Sequence, residues 1–307
     1  MTIPVVVDCD PGIDDAIGLL LALASAELEV LGVTTVAGNQ TLGKTTANAL
    51  RVLETAGRSD VPVAAGADRP LVRELVVAKV HGESGLGDLP LPPPRVLPLA
   101  EHAVDFLARA ALESSSGVTL IALGPLTNVA LLFALRPDAA EALQAVVFMG
   151  GAIDGGNMTP VAEFNLWVDP EAAARVLTSG LEVTMVGLDV TLRARVTEQE
   201  VDRLGSGRVA RFVRDLYTPF ARAYAEFSSG DGAPVHDALA VARAVRPDLL
   251  TVVPAHVVVD CGLGLSRGQT IVDRVSGRTP GANAAVAVDV DVDGFRDLLV
   301  ERIDSFP

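Results

Sequence analysis

Residues 3–7 form an apolar run that leads directly into Asp8-Cys9-Asp10-Pro11-Gly12-Ile13-Asp14-Asp15. A strand that apolar is buried on both faces of a sheet. Its carboxyl end must therefore open where four acids can stand together. Carboxylates packed so closely repel one another unless a cation sits among them or their pKa values rise steeply. A plain acidic turn, with one aspartate capping the next helix, accounts for one acid rather than four.

Apolar runs and helix-period segments go on alternating down the chain. Strands are predicted at 3–7, 28–36, 61–65, 118–123, 145–149 and 182–187, and helices at 13–24, 41–55, 101–113, after Pro125 and from Pro170. Such alternation implies βαβ units. The predicted class is α/β: an open, mostly parallel, doubly wound (Rossmann-like) sheet flanked by helices. A long helix at 208–227 carries Phe212, Leu216, Phe220 and Tyr224 on one face, and a shorter one follows at 236–245. Strands at 252–259, 270–275 and 284–290 suggest an antiparallel edge near the C-terminus, closed by a helix at 295–303. Residues 66–100 break the pattern, because Pro90, Pro92, Pro93, Pro94 and Pro98 cannot donate to a central ladder. That stretch reads as an irregular, lid-like excursion within a single domain spanning 1–307.

Composition narrows the partners. A net charge of -15 and a pI near 4.6 oppose binding to nucleic acid or to an anionic membrane. A small neutral ligand or a cation is easier to accept. The two cysteines, Cys9 and Cys261, make no disulfide framework, and a thiol inside the acidic motif suits a reducing cytoplasm. Neither a basic leader with an apolar core nor an apolar run of membrane-spanning length is present.

Ligands of open α/β sheets bind beyond the carboxyl ends of the strands. Four loops qualify: the acidic motif, Val36-Ala37-Gly38-Asn39, Leu123-Gly124-Pro125-Leu126-Thr127-Asn128, and residues 150–157. One competing pattern overlaps them, since Gly38-Asn39-Gln40-Thr41-Leu42-Gly43-Lys44-Thr45 matches the phosphate-cradling loop of nucleoside triphosphatases. Four acids on the neighbouring strand would oppose a triphosphate there. An aspartyl-phosphate phosphatase also begins with a D-x-D after its first strand, but it needs a downstream lysine, and Lys44 and Lys79 are the two in the chain.

Taken together, the acidic motif, Val36-Ala37-Gly38-Asn39, His81-Gly82-Glu83, Gly124-Pro125-Leu126-Thr127-Asn128, Val161-Ala162-Glu163-Phe164-Asn165 with Asp169-Pro170-Glu171, and His236-Asp237 resemble the inosine-uridine-type nucleoside hydrolases. The blocks occur in order over most of the chain. The resemblance implies a Ca²⁺ held by Asp10, Asp15, the Leu123 carbonyl and Asp237, with water completing an all-oxygen shell. It implies hydrolysis of the N-glycosidic bond of a ribonucleoside. Asp10 would be the general base for a calcium-bound water, and the transition state would resemble an oxocarbenium ion.

Asp14, Asn39, Asn157, Glu163 and Asn165 are implied to grip the ribose. Read singly, Asn157 also suits a turn-stabilising role, and Asn165 a satisfied polar group beside a strand. His81 and His236 are implied to flank the leaving base, with His236 the catalytic one; Tyr224 stacks on the base or fills core. Asp8 keeps a supporting role, and activity is indifferent to Lys44. The resemblance suggests a homodimer or homotetramer. A non-catalytic nucleoside- or sugar-binding protein is the alternative from another class, and the intact acid set argues against it.

Overall fold

The computed structural model describes residues 2–226, 228, 230–273 and 281–307. The strands are β1 (Ile3–Cys9), β2 (Leu28–Thr35), β3 (Val63–Ala65), β4 (Val118–Ala122), β5 (Leu143–Met149), β6 (Val183–Val186), β7 (Arg195–Val196), β8 (Ala233–Pro234), β9 (Leu250–Val259), β10 (Thr270–Asp273) and β11 (Ala284–Val290). Among the described residues nine of them make one sheet, in the spatial order β10-β9-β11-β6-β5-β4-β1-β2-β3, while β7 and β8 pair separately. Strands β3, β2, β1, β4, β5, β6 and β11 run parallel to one another. β9 runs antiparallel to both β11 and β10, so the predicted antiparallel edge lies at the C-terminal side of the sheet.

The sheet is buried on both faces because its central strands are mostly apolar. Val5, Val7 and Cys9 pack into one core with helices Ile13–Ala24, Leu42–Ala56, Arg208–Ala225, His236–Val245 and Val292–Asp304. Val6, Leu120 and Ala122 pack into the other with Ala103–Glu113, Thr127–Leu135 and Pro170–Leu177. The winding direction reverses between β1 and β4. That reversal leaves a crevice at their carboxyl ends, where an open α/β sheet binds ligands.

Several boundaries differ from the sequence reading. β1 runs on to Cys9, so Asp8 lies inside the strand, paired in register with Thr34 and Ala122. The helix after Pro125 begins at Thr127. Pro125 stays in the loop because its ring packs beside Gly38, where an added Cβ would lie 2.7 Å from Pro125 Cδ. Helix Arg208–Ala225 and strand β10 end before Phe227 and before residues 274–275, which lie outside the described residues. Residues 66–100 hold no helix or strand among the described residues, apart from a bridge between Ala64 and Leu99. No helix among the described residues is long and apolar enough to cross a membrane.

Candidate active site

The acidic motif turns from β1 into helix Ile13–Ala24, and its acids divide the work. Asp15, in the first helical turn, reaches back: Oδ1 accepts from Asp10 N–H at 3.1 Å and Oδ2 from Gly12 N–H at 3.0 Å. The capping role expected of one acid is thus filled by Asp15. Asn39, from the loop after β2, donates its backbone N–H to Asp10 Oδ2 at 2.5 Å and its side-chain amide to Asp15 Oδ2 at 2.9 Å. Two glycines crowd Asp10. A Cβ on Gly38 would sit 2.2 Å from Asp10 Oδ2, and one on Gly124 2.3 Å from Oδ1.

Asp237 arrives from the far end of the chain. Helix His236–Val245 packs against helix Ile13–Ala24 at Gly18, where a Cβ would lie 3.2 Å from the Asp237 carbonyl carbon. This brings carboxylate oxygens of Asp14, Asp15 and Asp237 within 4.8 Å of one another. Leu123, just past β4, lines the same cleft as Asp14 and Asp237. Asp10, Asp14, Asp15 and Asp237 are all buried, and burial raises the pKa of each. For Asp10 the next cause is Asp15; for Asp15 and Asp237 it is Asp14. Among the described residues Asp10 Oδ1 and Asp14 Oδ1 have no hydrogen-bond partner. Buried, unpaired oxygens in a crowd of like charges are what a hard divalent cation satisfies, so the residues suit a metal. Asp8 stands behind them, held by Thr34 Oγ1 at 2.5 Å and Asn128 Nδ2 at 2.7 Å, with burial raising it to about 7.

Above the acids opens a cavity of about 580 Å³ lined by Asp14, Asn39, His81, Glu163, Asn165 and His236 among others. Glu163 caps the short helix Phe164–Val168. Its carboxylate accepts from Asn165 N–H at 2.8 Å, Gly151 N–H at 3.0 Å and Leu166 N–H at 3.2 Å, and burial raises its pKa to about 7. Asn165 donates its amide to Leu123 O at 2.8 Å and Met149 O at 3.2 Å, which fixes the carbonyl beside the acids. Exposed Asn157 accepts from Phe164 N–H at 2.9 Å, so it also braces the turn.

The opposite wall is aromatic. His81 stacks on Phe220 at 6.1 Å between centroids, and Phe220 lies 6.1 Å from Tyr224 at a tilt. His81 Nδ1 accepts from Ile13 N–H at 3.2 Å, which places the ring proton on Nε2, 3.8 Å from Asp14 Oδ1. His236 Nδ1 meets Thr191 Oγ1 at 2.7 Å. Burial lowers both histidines to about 4, which keeps both rings neutral at pH 7. Of the sequence-nominated residues, Asp14, Asn39, His81, Leu123, Asn157, Glu163, Asn165, Tyr224, His236 and Asp237 line one cleft. Asp10 and Asp15 lie behind its lining, hydrogen-bonded to Asn39. The clustered oxygens include that of Asp14, expected at the sugar, rather than one of Asp10.

Sequence reasoning overlooked Thr191, Phe220 as a pocket wall, and the anchoring of Asp8 by Thr34 and Asn128. Thr191 was findable, since it follows β6 and the strand-end rule applies there as well. The phosphate-loop match has a different explanation. Thr45 Oγ1 donates to Val36 O and Leu42 O at 3.0 Å, while Lys44 Nζ donates to Gln40 Oε1 and Glu83 O. The groups a nucleotide would use are spent on the protein's own backbone and side chains.

The inosine-uridine preferring nucleoside hydrolase family model matches residues 5–297. The chain belongs to that family. It is 45% identical over its whole length to the pyrimidine-specific ribonucleoside hydrolase RihA of Shewanella woodyi, covering 99% of that protein. With RihA of Photobacterium profundum the identity is 43%, and both chains are covered in full. Among solved structures, the plant nucleoside hydrolase PpNRh1 aligns with a TM-score of 0.94 at 33% identity, over 99% of this chain and 100% of that one. A purine-preferring ribonucleoside hydrolase from Gardnerella vaginalis aligns at 0.91 and 32% identity, over 99% and 98%. The chain is a nucleoside hydrolase, acting on N-glycosyl compounds, and the phosphate-loop and binding-protein alternatives fall away.

Proposed function

We propose that this hydrolase cleaves pyrimidine ribonucleosides to ribose and free base with a Ca²⁺ held by Asp10, Asp15, Asp237 and the Leu123 carbonyl. The observations that support the cation assignment are the all-oxygen cluster of the Asp14, Asp15 and Asp237 carboxylates, within 4.8 Å of one another, and the buried, unpartnered oxygens Asp14 Oδ1 and, on the neighbouring carboxylate, Asp10 Oδ1. Calcium suits that hard, carboxylate-rich set, and when bound it supplies Lewis acidity that makes a nearby water easier to deprotonate. The pyrimidine class rests on the relatives at 43–45% identity over the full length.

Asp10 keeps Oδ2 on the Asn39 N–H and turns Oδ1 to the attacking water, taking its proton as general base. Positive charge developing on the ribose is stabilised by the surrounding carboxylates. Asp14, Asn39, Asn157, Glu163 and Asn165 hold the sugar, and Tyr224 and Phe220 flank the base. His236, neutral and steadied by Thr191, donates a hydrogen bond to the departing base as charge builds on it, and His81 does so from the other side. The chain works as one domain, with 66–100 as the lid-like segment, as a cytoplasmic homodimer or homotetramer.

A nucleoside panel assayed for reducing sugar tests this reading. Uridine and cytidine should outpace inosine and guanosine, and EGTA should abolish turnover until Ca²⁺ is restored. 2′-Deoxyuridine should be slower by about 5- to 150-fold, because a buried group left without its hydroxyl costs roughly 1–3 kcal/mol. Turnover indifferent to EGTA would sink the cation assignment, and faster purine cleavage the substrate class.

A further inference from the structure

Three side chains grip three successive carbonyls of the turn that carries His81. Gln40 Nε2 donates to Gly82 O at 3.2 Å, Lys44 Nζ to Glu83 O, and Asn48 Nδ2 to Ser84 O at 2.9 Å. Lys44 and Asn48 stand one turn apart on helix Leu42–Ala56, and Gln40 stands four residues before Lys44, just ahead of that helix. Lys44 is tied sideways to Gln40 Oε1 at 3.2 Å. Asn48, wholly buried, also donates to Pro11 O at 3.1 Å, so one amide touches both the acidic motif and the His81 turn. The turn is shaped to meet this helix. Gly85 has φ +88°, and a Cβ there would lie 2.8 Å from Asn48 Nδ2.

We propose that Gln40, Lys44 and Asn48 are positioning residues, a latch that fixes His81 against the nucleoside by holding the 82–84 backbone. The inference rests on the reading of His81 as a residue that faces substrate. It departs from the sequence expectation that activity is indifferent to Lys44. A lysine at this place serves as a long, exposed donor that reaches across to a loop carbonyl, which explains why the phosphate-loop pattern appears without phosphate chemistry. Without the latch, residues 79–88 would sample positions in which the His81 ring leaves Phe220 and the Ile13 N–H, and encounter with substrate would become less productive.

The test is a cycle of Lys44→Met, His81→Ala and the double variant, all as full-length protein in Ca²⁺, assayed with uridine. Lys44 is exposed, so its replacement leaves the core intact. Lys44→Met should lower kcat/KM about fivefold and speed amide hydrogen exchange across 79–88, as loss of a solvent-exposed hydrogen bond to the Glu83 carbonyl predicts. In the His81→Ala background the same substitution should change kcat/KM by less than about twofold, because its route of action is gone. An equal loss in both backgrounds, or unchanged exchange across 79–88, overturns the latch. If exchange rises yet His81→Ala turns over like the wild type, the latch stands and the substrate-facing role of His81 fails.

Discussion

Replacing Asp10 with asparagine should pull stability and catalysis in opposite directions. Asparagine keeps an oxygen for the Asn39 N–H, now 2.5 Å from Asp10 Oδ2, and keeps the side-chain volume. What it removes is an ionisable carboxyl that is fully buried, its pKa raised first by burial and then by Asp15. It also removes the acceptor at Oδ1. In metal-free protein, relieving that crowding should add about 1–3 kcal/mol, with the melting temperature rising by roughly 2–4 °C per kcal/mol. Calcium at a hundred times its Kd stabilises the wild type by about 2.7 kcal/mol through mass action, and a tenfold loss of affinity in the variant trims this by about 1.4 kcal/mol. The calcium-induced melting shift should therefore shrink while the calcium-free melting temperature climbs. Loss of the general base should lower kcat by about 10²–10⁴. Melting curves in EGTA and in Ca²⁺, with reducing-sugar release from uridine, read all three effects. A kcat within about tenfold of wild type would refute Asp10 as the base. A lower calcium-free melting temperature would refute the crowding argument.

Gly124→Ala tests the space around the same carboxylate, since its Cβ would fall 2.3 Å from Asp10 Oδ1. Activity should drop by at least about tenfold while stability falls by only about 1–3 kcal/mol, and near-normal kinetics would show that the loop yields instead. Glu163→Gln tests a proton. Burial raises Glu163 from 4.5 to about 7, so the folded protein holds a proton that the unfolded chain releases. That contribution is complete below about pH 4.5 and lost as pH rises through 7, a change of about 3 kcal/mol. In Ca²⁺-saturated protein the stability of wild type relative to Glu163→Gln should accordingly fall by about 3 kcal/mol from pH 4.5 to 8, and a relative stability that rises or stays flat would refute the raised pKa.

What the sequence disclosed and what it hid follow from how local each signal is. The run of Ile3, Val5, Val6 and Val7 into four acids is contiguous, so both the central strand and the acid-bearing turn were legible from it. The strand order was legible as a class, because regular alternation of strand and helix leaves few windings. Asp237 was reachable only through resemblance, since nothing local to His236–Val245 signals that this helix will cross Ile13–Ala24. The short helix Phe164–Val168 was not predicted, and with it the capping work of Glu163 was invisible, because five residues carry no periodicity. Lys44 shows the converse failure. Its pattern is local and strong, but its meaning depends on Glu83, a residue of an irregular segment that no pattern places.

The spacing of the acids is therefore set by helix packing more than by the loop that displays them. Helices Ile13–Ala24 and His236–Val245 both begin at the cluster, so the partial positive charge of two helix N-termini faces the same carboxylates. That offsets part of their repulsion before any cation arrives, and it holds the acids where a cation can use them. Gly18 lets the two helices approach until Asp237 stands among Asp14 and Asp15. A glycine inside a helix costs about 1 kcal/mol relative to alanine, a cost with no local return. Its return is geometric: a Cβ there would meet the Asp237 carbonyl carbon at 3.2 Å, a close contact at the helix crossing that brings Asp237 within 4.8 Å of Asp14 and Asp15. The acidic motif is half of a site, and the contact at Gly18 joins it to the other half.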